Sequence, residues 1–219
     1  MNRRNIYSLL DRDRTARLLD LGCDDGALTV EIAARIGKAT IYGAEIVHEA
    51  AEAAGKRGVL VKGFDLNGAL EFAHDFFDVV HANQVIEHVH NSDNFIGEVR
   101  RILRPGGYAV ISTENASSWC NVFASVMGWQ IFSLTNFSNK KRGIGNPLAL
   151  YRNGASELNS WNHVRIYSIR GLREYFEAFG FIVEGVKGAG YFPLPSALGN
   201  IDRMHSHFIT FKIRKPLAK

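Results

Sequence analysis

The stretch Leu18–Thr29, LLDLGCDDGALT, decides the fold. The apolar run Arg17–Leu21 stops at Gly22, small and acidic residues follow, and from Ala27 apolar residues recur at helical spacing (Leu28, Ile32, Ile36). That order reads as strand, tight glycine turn, helix. Such a turn is where an open parallel sheet holds a nucleotide-like ligand against the N-terminus of its first helix. A second apolar run, Ala39–Ala44, ends in Glu45, 23 residues after Gly22. A carboxylate at a strand tip at that spacing is placed to accept both hydroxyls of a ribose. Turn and acid together predict an adenosine-type cofactor.

Outward from this unit, strands and helices alternate. A short helix is expected at Asn5–Leu10 and a second strand at Thr40–Ala44. A helix at His48–Ala54 and a third strand at Val59–Val61 follow, the latter leading to Gly63, Phe64 and Asp65. Phe76–Ala82 is a near-continuous apolar run, the pattern of a strand covered on both faces. Asn91, Ser92 and Asp93 offer N-caps for a helix over Asn94–Leu103, whose apolar face is Phe95, Ile96, Val99, Ile102 and Leu103. Arg104–Gly107 reads as a stop and turn before a fifth strand at Tyr108–Thr113. The alternation breaks over Asn115–His163, which is rich in Asn, Ser and aromatics and too poor in aliphatic residues to form its own core. It resumes with a helix at Ile169–Phe179 and two closing strands at Phe181–Val186 and Phe208–Ile213. The expected architecture is a doubly wound α/β sheet in one domain, residues 1–219, with a lid-like insertion at about 115–163.

With 219 residues, 46% hydrophobic and 22% charged, the chain has the composition of an ordinary globular domain. A net charge of +4 permits an anionic partner without requiring one. Cys23 and Cys120 are far apart and show no metal-ligand spacing, which points to a reduced, cytoplasmic protein. The N-terminal MNRRNIYSLLDRDR is too charged for the core of a signal peptide. Asn115–Asn139 holds 25 residues without a charge, yet its many Asn and Ser residues argue against a membrane span. A buried or interfacial helix is the expectation there.

The blocks LLDLGCDDGALT, GAEI, KGFDL, FDVVHANQVIEHV, RILRPGGYAVISTEN and HVRIYSIRGLREYFEAFGF, in this order over Arg17–Phe181, resemble the class I S-adenosylmethionine-dependent methyltransferases of the type 11-like group. The resemblance implies a Rossmann-like seven-stranded sheet with an antiparallel last strand and an insertion after strand five. It implies S-adenosylmethionine as cofactor and S-adenosylhomocysteine as product. Carried over by position, Asp20, Gly22, Cys23, Asp24 and Gly26 form the glycine loop around the methionine moiety, and Glu45 holds the ribose with Ile46 beside the adenine. Phe64, Asp65 and Leu66 border the adenine edge, and Asn83 and Gln84 face the reaction space. One position departs from the pattern: Asp24 stands where the family usually has glycine. Its charge must turn toward the α-ammonium or into solvent.

Methyl transfer from a sulfonium needs mainly a near-attack geometry, so the lack of an obvious triad is compatible with an enzyme. A base is needed only where the acceptor must lose a proton, and His163 and His88 are the candidates. The alternative readings of His88 and His90 are structural hydrogen bonding and metal ligation. The spacing is not that of a His-Glu-x-x-His zinc helix, and no metal is expected. His205 and His207 read as polar residues at a strand entry. Asn115, Trp119, Tyr151, Trp161 and Tyr191 are expected on the acceptor side. Trp119, Phe123, Trp129, Phe132 and Phe137 form either a cover packed on the core, an aromatic wall for a sugar-like acceptor or a lipid-touching face followed by Lys140, Lys141 and Arg142.

The expected function is methyl transfer to a small-molecule or glycan/lipid-linked acceptor, at oxygen, with peripheral membrane contact conceivable. Three rivals stand beside it. A nicotinamide oxidoreductase requires Gly-x-Gly-x-x-Gly, which is absent. A non-catalytic S-adenosylmethionine-binding module is suggested by Asp24. A nucleic-acid methyltransferase is favoured only by the net charge, without a recognisable binding appendage or base-flipping motif.

Overall fold

The computed structural model describes residues 2–37, 40–149, 162–191 and 195–217. Seven strands form one sheet in the order β3-β2-β1-β4-β5-β7-β6. The strands are β1 Arg17–Leu21, β2 Thr40–Ala44, β3 Leu60–Lys62, β4 Phe77–Asn83, β5 Leu103–Glu114, β6 Ile182–Ala189 and β7 Phe208–Arg214. The first five run parallel, and β7 is antiparallel to both β5 and β6. This is the Rossmann-like sheet with a reversed last strand that the sequence predicts. Strand order reverses between β1 and β4, so their carboxyl ends open the crevice where ligands bind in doubly wound sheets.

Alternation along β1 sorts the core into two layers. Leu19 and Leu21 join Val80, Ala82, Phe95 and Ile96 on one face, and Leu18 joins Ile32, Ile36, Val79 and Val110 on the other. The second face carries α1 (Arg3–Ser8) and α2 (Ala27–Ile36); the first carries α4 (Ser92–Ile102) and α6 (Ile169–Ala178). Asn91 caps α4 by accepting from the Asn94 N–H at 3.2 Å, and Phe95, Ile96, Val99 and Ile102 bury its apolar stripe. Ser168 caps α6, which buries Ile169, Leu172 and Phe176. Between β2 and β3 lies α3, His48–Lys56.

Two local expectations are corrected. The first helix covers Arg3–Ser8 rather than Asn5–Leu10, because the Asn2 carbonyl accepts from the N–H groups of Asn5 and Ile6 and starts it earlier. The helix does end ahead of Arg104–Gly107, at Ile102, but the segment is not a turn before the strand: it lies inside β5 as a bulge. Leu103 pairs with Phe77 and Tyr108 with Val79, so the excess residues arch outward. Gly106, at φ +79°, donates to the Lys215 carbonyl, and Lys215 N–H donates back to Gly107, closing the bulge against the chain after β7. Arg104 pairs with Asp78 across it.

Beyond β5 the chain forms α5 (Trp119–Val126) and a 3₁₀ turn at Phe132–Leu134. Amides hold this region where aliphatic side chains would hold an ordinary one. The Asn121 amide donates to Asn115 O and Ser133 Oγ, both at 2.9 Å, and accepts from Ser133 N–H. Asn146, fully buried, donates to Gln130 O at 2.9 Å. Each buried amide is paired, as burial of a polar group requires. Among the described residues, no helix is long and apolar enough to cross a membrane.

Candidate functional site

At the carboxyl ends of β1 and β4 lies a cavity of about 1060 Å³. Its first wall is the turn after β1. Gly22 and Cys23 donate to the Ala44 carbonyl and pull the turn against the end of β2. Gly22, Asp24 and Gly26 all have positive φ, at +70°, +48° and +76°. A Cβ on Gly26 would stand 2.9 Å from the Ala54 Cβ, so only glycine lets α2 start beside α3. Asp25 accepts from Ala27 N–H and pairs with Arg57 at 3.1 Å, fixing the turn from outside. Glu45 accepts from Asp24 N–H at 3.0 Å and Val47 N–H at 2.9 Å. The half-buried carboxylate is thus held at the strand tip before any ligand arrives.

Opposite stands the turn after β4. Gln84, at φ +57°, donates its N–H to the Ser112 carbonyl. Asn83 Oδ1 accepts from Ser112 Oγ and from the amide of Asn2, which brings α1 across the cavity. Ile46, 64% exposed, offers a bare apolar face for a ring. The loop with Phe64, Asp65 and Leu66 is stapled to the β4 exit: Asp65 accepts from Asn67, and Asn67 Oδ1 accepts from His90 and Asn91 N–H. Glu98 and Arg101 clamp its far end at Leu70 and Phe72. The Arg101 guanidinium holds the Glu98 carboxyl below its ordinary range. Among the described residues, Asp20, Asp24, Asp25, Glu45 and Asp65 line the cavity against the one guanidinium of Arg3, a balance that suits a cationic ligand.

The inner end is different. Glu87 is buried, its Oε2 accepts from Thr113 Oγ1 at 2.9 Å, and its Oε1 has no partner. Burial pushes its carboxyl up to about 8. The Glu87 carbonyl accepts from Val164 and Arg165 N–H, and Arg165 reaches Ser92 and His90, strapping that segment across the β4 exit. His88 Nδ1 donates to Asn162 O at 3.0 Å, and His163 Nδ1 donates to Ser133 O at 2.6 Å. In the neutral imidazole these bonds make Nε2 the acceptor nitrogen of each ring. The rings meet edge to face at 4.8 Å, and both line the cavity. Burial, followed by the charge of His163, lowers the His88 pKa.

A family model for a methyltransferase domain matches residues 2–185. The chain belongs to the methyltransferase-domain family. Curated relatives include a ubiquinone biosynthesis O-methyltransferase of Brucella anthropi, 37% identical over 105 residues, covering 45% of this chain and 41% of that protein. The methyltransferase GfsG of Streptomyces halstedii is 34% identical over 115 residues, 49% of this chain and 41% of its own length. The chain thus spans under half the length of these relatives. Among solved structures, an S-adenosylmethionine-dependent methyltransferase from Methanosarcina mazei superposes with a TM-score of 0.67 at 16% identity, covering 98% of both chains. A possible histamine N-methyltransferase from Thermotoga maritima superposes at 0.65 with 21% identity, over 98% of this chain and 87% of that one. The cofactor of this family is S-adenosylmethionine. Two residues lining the cavity fit such a polar ligand: the buried Gln84 Nε2 and His81 Nε2 have no partner among the described residues.

Of the residues assigned to the methyltransferase cofactor from sequence, all but Gly26 line this one cavity. Asp20 lies at its base with both oxygens engaged, by His81 Nδ1 at 2.6 Å and Thr29 Oγ1 at 2.5 Å. Its part is to lock β1, β4 and α2 together. Three acceptor-side expectations are corrected. Asn115 is fully buried, its amide donating to Met204 O and Ser206 O, so it is a structural tie. Trp119 and Tyr191 lie away from the cavity: the indole donates to the Tyr191 hydroxyl and stacks on His205 at 4.2 Å. Phe123, Val126 and Met127 of the expected aromatic region also face outward. Tyr151 and Trp161 lie outside the described residues. Asn136 belongs to the amide-rich segment expected over the site, while sequence reasoning missed Asn2, Asn67 and His81. Of these only His81, a polar residue within an apolar strand, carried a visible signal.

Proposed function

We propose that this domain transfers the methyl group of S-adenosylmethionine to a hydroxyl oxygen of a small-molecule or glycan/lipid-linked acceptor. The observation that carries the reading is a single cavity running from Glu45 to the imidazoles of His88 and His163. Bound S-adenosylmethionine supplies an activated methyl group. Glu45 accepts the ribose hydroxyls, Ile46 covers one adenine face, and the turn at Gly22–Asp24 receives the methionine moiety. Gln84 and Asn83 set the distance between donor and acceptor. His88 and His163 stand where a hydroxyl must give up its proton. Asn136 and His163, from the segment after β5, act as the roof of the inner end. The acidic lining disfavours a polyphosphate acceptor at the mouth, which weighs against nucleic acid. Cys23 and Cys120 are not joined to each other by a disulfide, which supports a cytoplasmic setting.

The test is a radiolabel transfer assay on the purified protein, with phenols, sugar hydroxyls, lipid-linked glycans and RNA as acceptors. Transfer to a hydroxyl acceptor, reduced about 100-fold in His88→Ala, is expected. Transfer to RNA alone, or to amines alone, would overturn the assignment.

A further inference from the structure

Glu87, His88 and His163 come together at the inner end of the cavity, and we propose that they form a binding site for a divalent transition metal of the zinc class. The trio offers one carboxylate oxygen and two imidazole nitrogens, all within 4.8 Å of one another. Ligands about 2.1 Å from one shared ion lie roughly 3–4 Å apart, so the side chains close by about 1 Å.

Three independent features mark the trio as built for a ligand. Glu87 Oε1 is buried and has no partner, while Thr113 occupies Oε2 and fixes the carboxylate plane. A buried carboxylate oxygen left unpaired is costly, and a cation removes the cost. Second, each imidazole donates Nδ1–H to a backbone carbonyl, of Asn162 and of Ser133. That outer bond engages Nδ1 and leaves Nε2 as the ring nitrogen for a ligand, the support that metal-bound histidines usually have. Third, the three ligands come from one turn and one strapped segment. Val164 and Arg165 N–H both donate to the Glu87 carbonyl, so the approach of His163 to His88 is fixed by backbone. Two nitrogens with one oxygen suit zinc or manganese better than magnesium or calcium, which favour all-oxygen shells.

The site rests on the hydroxyl-methylation reading for its chemical role, though not for its existence. Three protein ligands leave positions open on the cavity side for an acceptor oxygen. Metal coordination takes up the histidine lone pairs, so in the metal-bound protein the coordinated hydroxyl, which ionises more readily, loses its proton to cavity water and not to a histidine. The oxygen lone pair then forms the O–CH₃ bond while the S–CH₃ bond breaks, its electron pair staying on sulfur as S-adenosylhomocysteine leaves.

The experiment is calorimetric titration of chelator-stripped protein with Zn²⁺, Mn²⁺ and Mg²⁺ in turn, with Glu87→Gln and His163→Ala beside it. Thermal melting verifies that each variant is folded. One Zn²⁺ or Mn²⁺ per chain is expected, weakened about 100-fold in either variant. Zinc binding that is equal in all three proteins would place the ion elsewhere and overturn the proposal. So would the absence of zinc and manganese binding, or binding of Mg²⁺ alone. Two activity outcomes separate the site from the function. Full methylation by metal-free protein removes the catalytic role and leaves O-methylation standing. Stoichiometric zinc binding with no hydroxyl acceptor turned over leaves the site standing and removes the reading of the reaction.

Discussion

The two ends of the cavity are held by different kinds of bond. At the cofactor end, β1, β2 and β4 fix the walls through sheet register, and the turn residues need only supply backbone angles. At the acceptor end, the wall after β5 is held by side-chain amides: Asn115, Asn121 and Asn146 each replace a piece of backbone pairing. A wall built on backbone register tolerates changes in most side chains. A wall built on amides depends on each one.

The largest expected effect follows from that difference. Asn115→Leu removes the donors to Met204 O and Ser206 O and leaves two buried carbonyls unpaired. It should cost about 2–4 kcal/mol in urea denaturation. The cofactor wall shares none of these bonds, so S-adenosylhomocysteine titration of the folded fraction should change little. A loss under about 0.5 kcal/mol would erase the contrast between the two ends. Next is Glu45→Ala, which acts on binding more than on stability. Loss of charge-assisted bonds to the ribose should weaken S-adenosylhomocysteine by about 1–3 kcal/mol. An unchanged dissociation constant in a protein with wild-type circular dichroism would reject the ribose role. The smallest effect is expected at Asp24→Gly. Relief of the left-handed conformation should raise stability by about 0.5 kcal/mol, with cofactor bound as tightly or tighter. Weaker binding in that variant would show the Asp24 carboxylate recruiting the α-ammonium.

The same contrast explains what could be read from the sequence. Leu18–Thr29, Glu45 and the Gln84–His88 turn were legible because strand ends and glycine turns have fixed spacing, and neighbouring strands bring spaced residues together. The bulge at Arg104–Gly107 was misread because Pro and Gly mark a turn equally well inside a strand as after one. Trp119 and Tyr191 were placed by residue type alone. Aromatic character by itself does not tell which way a side chain faces, and here the two pair with each other. Asn115 was read as a ligand contact because an amide on a loop usually reaches outward; burial against Met204 and Ser206 depends on contacts some 90 positions away. His163 and His88 meet only through the strap onto the Glu87 carbonyl, which leaves no local mark.

The place of β7 has a consequence for how the chain is made. β1 to β4 all lie before residue 84, so the cofactor wall has its partners early in synthesis. β5 waits for residues about a hundred positions later: Tyr108 pairs with Arg214 and Glu114 with Phe208. Until Phe208–Arg214 leave the ribosome, β5 presents a bare edge and β6 has no neighbour at all. Such edges are where nascent chains pair wrongly with one another. The step that closes the acceptor half therefore comes only after the cofactor wall has its partners, and slowing elongation between β5 and β7 lengthens the window in which the chain aggregates.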